Sequence, residues 1–132
     1  MTQPLQRSIY SNVAKRGYLD RWTHSQFLRR QLVKLLEETS EAFLAADWPP
    51  QFNRLKELVT LVKAEAKRVF DDRLFWTDVG GRTPEAVRSE LADVQVVLCC
   101  AACAYEDERR VSFHLMYEAV SKSNGDIKRG VR

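Results

Sequence analysis

Glycine and proline are scarce: the chain has five and four of them in 132 residues. A sandwich or barrel of many short strands needs more turn residues than that. Cysteine is also scarce and odd in number, three in all, with two adjacent. No disulfide framework is encoded, and a reducing, cytoplasmic setting is expected. No uncharged apolar run reaches the roughly 20 residues of a membrane-spanning helix. The opening MTQPLQRSIY has no apolar signal core. Excess charge is lacking too. The net charge of +3 permits phosphate-bearing ligands without demanding nucleic acid, which is disfavoured as a partner.

What is present suits one domain, 1–132, with a packed core: 45% of the residues are hydrophobic and 30% charged. Leu5, Ile9, Val13 and Leu19 suggest a short helix and a loop at the start. Thr23 with Gln26 three residues on is a capping-box pattern. It opens a helix expected to run to Ala46, with Leu28, Leu32, Leu35, Leu36 and Phe43 on one stripe. Asp47-Trp48-Pro49-Pro50 stops it. A second helix is expected over 51–73, its charges, Lys63 among them, mostly off the apolar face, with Phe75-Trp76 and Gly80-Gly81 in a connection. Thr83-Pro84 reads as an N-cap with proline at the first helical position, opening a third helix to Tyr105. A fourth covers 111–123 and ends at Asn124-Gly125, leaving 125–132 as an extended basic tail. The fold class is all-α, a bundle of four to five helices.

Two groups of carboxylates, three on one helix and two on another, carry the chemistry. Glu37, Glu38 and Glu41 fall within about 100° of arc on the first long helix. Like charges so close repel unless a cation offsets them, and Lys34 lies on the same side. On its own this cluster reads as a solvated face. On the third long helix, Glu90 and Asp93 share a side with Ala86, Val87, Val94, Val97 and Ala101. From Leu91 to Ala104 that helix is apolar nearly all round, which places it in the middle of a bundle. Buried carboxylates need partners, and two of them one turn apart call for a cation. Oxygen donors without imidazole or thiolate suit Mg²⁺, with Mn²⁺ as a substitute. The Glu-x-x-His pairs of di-iron bundles are missing, since Arg21 precedes His24 by three residues and Val111 precedes His114. Cys99, Cys100 and Cys103 read as small buried hydrophobes.

The order Glu37-Glu38-x-x-Glu41, then Glu90-x-x-Asp93, then Lys122-Ser123-Asn124 resembles the MazG-like, all-α nucleoside triphosphate pyrophosphohydrolases. The resemblance covers most of the chain from Trp22 to Arg129. One departure is the length of 48–83, between the acidic motifs, which is greater than in compact members. The resemblance implies Mg²⁺-dependent cleavage of (deoxy)nucleoside triphosphates between the α- and β-phosphates, a house-cleaning activity on nucleotide pools. It implies Glu38, Glu41, Glu90 and Asp93 as metal ligands and Glu37 as the residue that orients or deprotonates the attacking water. It also implies a homodimer or homotetramer. Cations suit the outer phosphates, so Lys34, Lys122, Lys128 and Arg129 are candidates there, with Asn124 for phosphate or sugar. Trp22, Trp48, Trp76 and Phe75 are candidates to stack on the base, Trp22 and Trp76 foremost, against the plainer alternative of core packing. The competing expectation is a non-catalytic helical module that binds nucleotides or a protein partner.

Overall fold

A computed structural model describes residues 3–15, 22–77 and 83–128. Among them the chain is all-α: α1 (Gln3–Ala14), α2 (His24–Leu44), α3 (Asn53–Phe70), α4 (Arg73–Thr77), α5 (Ala86–Arg109) and α6 (Leu115–Lys128), with a 3₁₀ turn at Pro50–Phe52 before α3. No described helix is long and apolar enough to cross a membrane. The chain divides into two compact units. One is Trp22–Arg82, and the other joins Met1–Arg21 to Thr83–Arg132.

The Trp22–Arg82 unit is built on a helical hairpin in which α2 and α3 lie against each other. Its start follows from the sequence. Thr23 Oγ1 accepts the Gln26 N–H at 3.1 Å, and Gln26 Oε1 accepts the Thr23 N–H at 2.9 Å, so the capping box satisfies two orphan donors. Beyond α2 the Trp48 ring stacks on Phe43 at 4.3 Å, and its Nε1 donates to Phe43 O at 2.7 Å. That indole fixes the turn that the two prolines demand.

The helix expected over 51–73 is shorter and is followed by a second element. α3 stops at Phe70, and the Asp72 carboxylate then accepts the Phe75 N–H at 3.1 Å. A side chain that caps its own chain three residues on starts a new turn, so Phe75 and Trp76 belong to α4 and not to a loop. Trp76 is 1% exposed. Its Nε1 donates to Val69 O at 2.9 Å and Phe70 O at 3.2 Å, two carbonyls at the end of α3. Gln26 Nε2 donates to Trp76 O at 3.1 Å, tying α4 to the start of α2.

In the other unit α1 packs on α6. Asn12 is buried and donates to Ser123 Oγ at 3.0 Å and Asn124 Oδ1 at 2.6 Å. This contact explains two departures from the sequence reading. Asn124-Gly125 does not end α6, and Asp126–Lys128 is helical, not extended. The asparagine that could have stopped the helix spends its side chain on α1, and glycine inside a helix costs only about 1 kcal/mol. α5 begins at Ala86, its entry closed by Val87 N–H to Pro84 O and Arg88 N–H to Glu85 O, and Thr83 makes no cap. It passes the expected end at Tyr105 and stops where Arg110 turns left-handed, at φ 55°. α6 therefore starts at Leu115, after a link in which Glu106 Oε2 accepts the Phe113 N–H at 2.7 Å.

The expectation that α5 sits in the middle of a bundle does not hold among the described residues. Val96 and Val97 are 60% and 66% exposed, and Leu91 and Leu98 are exposed as well. Cys99, Cys100 and Cys103 are free and exposed, where burial was expected. Only Ala102 of this helix is buried. An apolar composition says that a helix prefers to be covered, but it does not supply the cover.

Candidate functional site

The most covered face of α2 is not its leucine stripe. Its buried residues are Phe27, Arg30, Glu37 and Ser40, while Leu36 is 51% exposed. Arg30, Lys34, Glu37 and Glu41 follow one another at helical spacing along the side that meets α3. The Arg30 guanidinium lies 4.6 Å from the Trp22 ring centroid, 4.7 Å from Phe70 and 5.3 Å from Trp76. Three aromatic faces thus take the place of water around a buried cation.

Lys34 comes next along this stripe, with its Nζ 5.1 Å from the Phe70 ring. The ammonium donates to Glu37 Oε1 at 3.1 Å and also stands 3.3 Å from Glu38 Oε1. Burial pulls the Lys34 pKa down. The hydrogen bonds and charges of Glu37 and then Glu38 outweigh it and hold the group above its ordinary value. Glu41 is approached from α3, where Lys63 Nζ lies 3.8 Å from its Oε1. Each of the three α2 carboxylates therefore has a lysine beside it. Glu37 is 8% exposed, and Lys34 is the cation beside it.

Glu90 and Asp93 also stand one turn apart, on α5, but they are exposed and do not interrupt a buried surface. Among the described residues no salt bridge engages either. Glu37, Glu38 and Glu41 belong to the Trp22–Arg82 unit, and Glu90 and Asp93 to the other.

The remaining candidates divide in the same way. Trp22 is half-buried, with Arg30 over its ring. Trp76 is core: its faces are covered and its N–H is spent on α3, so its proposed place against a base is withdrawn. Lys122 is exposed on α6. Asn124 is exposed, although its Oδ1 is taken by Asn12. Lys128 is the last residue of α6, its side chain outside the described set, and Arg129 lies outside the described residues altogether. A cavity of about 430 Å³ between α1, α5 and α6 is lined by Ala102, Cys103, Phe113 and Met116 among others, and by none of these candidates.

Two residues of this face escaped the sequence reading. Lys63 reads from the sequence only as one of the charges mostly off the apolar face of its helix, and Arg30 belongs to no motif. A signal for Arg30 existed, since it stands four residues before Lys34 and seven before Glu37, on the same stripe.

Among the described residues no group of three or more His, Cys, Asp or Glu side chains could hold a metal ion. Mg²⁺ does not require one. It keeps several waters and takes one or two carboxylates together with substrate phosphates. Glu38 with Glu41, and Glu90 with Asp93, each offer that donor type at one-turn spacing. The residues fit a hard divalent cation in kind, and neither pair could complete its shell alone. Set against protein-family models, curated proteins and solved structures, the chain matches none.

Proposed function

We propose that the protein is a Mg²⁺-dependent nucleoside triphosphate pyrophosphohydrolase, releasing a nucleoside monophosphate and pyrophosphate. One observation carries the reading. Of the three acids clustered on α2, Glu37 is 8% exposed, where desolvation and the repulsion of its neighbours Glu38 and Glu41 both work against it. A stable helical hairpin needs no such cluster, so a chemical task accounts for it best.

In this reading Glu38 with Glu41 in one unit, and Glu90 with Asp93 in the other, would be Mg²⁺ ligands, and the metal would supply charge neutralisation and polarisation of the phosphates. Glu37 orients the attacking water and accepts its proton. Lys34, Lys122, Lys128 and Arg129 offer cations to the outer phosphate oxygens, and the free amide N–H groups of Asn124 donate to phosphate or sugar. Trp22, half-buried, offers an aromatic ring to a base. The exposed apolar residues of α5 fit a homodimer or homotetramer, since patches of this kind mark association surfaces.

The test is pyrophosphate release from a panel of ribo- and deoxynucleoside triphosphates, with and without Mg²⁺. Turnover that needs Mg²⁺ and is lost in Glu38→Gln is expected. Folded protein that turns over no member of the panel overturns the reading. A second reading is favoured by the lysines. Lys34 and Lys63 already compensate the α2 acids, as they would in a non-catalytic module that binds nucleotides or a protein partner. Nucleotide binding without hydrolysis identifies that case.

A further inference from the structure

From Leu91 to Ala104 only Asp93 and Gln95 are polar, yet no described helix packs along α5. Of the described hydrophobic residues in its unit, only Ala102 is buried. A unit of that size needs a core, and one alanine does not make one. The chain exposes 10133 Å², against roughly 7,100 Å² for a folded monomer of 15.3 kDa. The excess, about 3,000 Å², is well above the ~800 Å² that each partner contributes to a standard interface. The uncovered residues of α5 are also ordered. Val87, Leu91, Val94, Leu98, Ala101 and Tyr105 recur at alternating steps of four and three, the spacing of a coiled-coil seam. Leu91 is 39% exposed, Leu98 37% and Tyr105 49%, the last although its ring meets Phe113 edge-on. The cavity that α5 shares with α1 and α6 is lined by Cys99, Ala102 and Cys103, about 100° round the helix from this seam.

We propose that this seam pairs with the same seam of a second copy of the chain, the two α5 helices running antiparallel. It does not depend on the catalytic reading, to whose homo-oligomer it gives an interface. The direction follows from side-chain size. In a parallel pair each residue meets its own kind, so two alanines at position 101 leave a gap next to two crowded tyrosines at position 105. Turned end for end about the midpoint of Val94 and Leu98, the helices bring Val94 to Leu98, Leu91 to Ala101 and Val87 to Tyr105. Each layer then holds one larger and one smaller side chain, as close packing needs. Opposed helix dipoles favour the same direction. Asp93 and the three cysteines lie off the seam, so the pairing neither buries that acid nor bridges the thiols.

The test is sedimentation of the wild type, Leu98→Glu, Leu98→Ala and Val96→Glu, with circular dichroism to confirm that each is folded. Val96 is 60% exposed on the side of α5 away from the seam. The wild type and Val96→Glu are expected at twice the 15.3 kDa of one chain or a multiple of that, and Leu98→Glu at one chain. Leu98→Ala adds no charge, guards against a folding defect in Leu98→Glu, and should dissociate at a concentration about tenfold higher than the wild type. Direction is read by cross-linking, with Cys99, Cys100 and Cys103 changed to alanine. Leu91→Cys and Ala101→Cys chains, coexpressed and then oxidised, should form a disulfide with each other, and neither with itself. A wild type that sediments as a single chain at micromolar concentration overturns the proposal, as do folded Leu98 variants that associate like the wild type. Self-cross-linking of Ala101→Cys, or no mixed disulfide, overturns the antiparallel pairing. Each of these failures leaves the pyrophosphohydrolase reading standing, because turnover alone decides that.

Discussion

Replacing Trp76 tests how the Trp22–Arg82 unit is held together. Its indole is 1% exposed, and truncating a buried tryptophan to alanine costs about 3–5 kcal/mol. The alanine variant also takes one of three rings from the Arg30 guanidinium, 5.3 Å away, a further loss of roughly 0.5–1 kcal/mol. Trp76→Phe separates shape from hydrogen bonding. It keeps an aromatic ring in place but removes the Nε1 bonds to Val69 O and Phe70 O. Val69 O still accepts the Asp72 N–H at 3.1 Å, so the loss falls mainly on Phe70 O. One unsatisfied, partly covered carbonyl costs about 1–2 kcal/mol. The expected order is therefore wild type, then Trp76→Phe lower by about 1–2 kcal/mol, then Trp76→Ala lower by about 3.5–6 kcal/mol. Urea unfolding followed by tryptophan fluorescence reads this unit selectively, because Trp22 and Trp48, the remaining tryptophans, both lie within it. A Trp76→Phe midpoint equal to the wild type would refute the capping argument. A Trp76→Ala loss below about 2 kcal/mol would refute the claim that this side chain anchors the hairpin.

Other perturbations follow from the same contacts. Thr23→Ala removes half of the capping box and should lower stability by about 1 kcal/mol, seen as a shifted urea midpoint; no shift would mean the box is ornamental. Asn12→Ala leaves Ser123 and Asn124 without their α1 partner, so amide hydrogen exchange at the C-terminal end of α6 should quicken while α2 and α3 are unaffected. Because Asp93 is exposed, Asp93→Asn should change stability by less than about 0.5 kcal/mol yet remove Mg²⁺-dependent pyrophosphate release; retained full activity would take Asp93 out of the site. The Lys34 pKa is raised in the folded state, so unfolded chains lose that proton first. The contribution of its ion pairs is complete at neutral pH and should fade above about pH 10.5, with a smaller alkaline loss in Lys34→Gln.

The legible parts of this chain were the local ones. The all-α class, the start of α2 at Thr23 and its stop before Pro49 were readable because capping and proline sterics act over three or four residues. The same locality exposes the errors. Asp72 restarting a helix at Arg73 was missed because the capping aspartate stood inside an apparently continuous pattern. Asn124-Gly125 has a helix-ending composition, but Asn12, more than a hundred residues away in the chain, engages that asparagine.

The candidate site divides along the same line. That Glu37, Glu38 and Glu41 share a side of α2, and that Glu90 and Asp93 share a side of α5, is determined by the amino-acid order and the helical period alone. Which side of α2 is covered was settled only by the packing of α3. That packing buried the polar stripe of Arg30, Glu37 and Ser40, left Leu36 half in solvent, and brought Lys63 to Glu41. Hydrophobic pattern ranks faces by what they would gain from burial, whereas burial itself depends on the neighbour that arrives. Here the neighbour brought Phe70, with Trp76 just beyond it, to cushion Arg30, and a lysine to meet Glu41, so the charged face could be covered without leaving its charges bare.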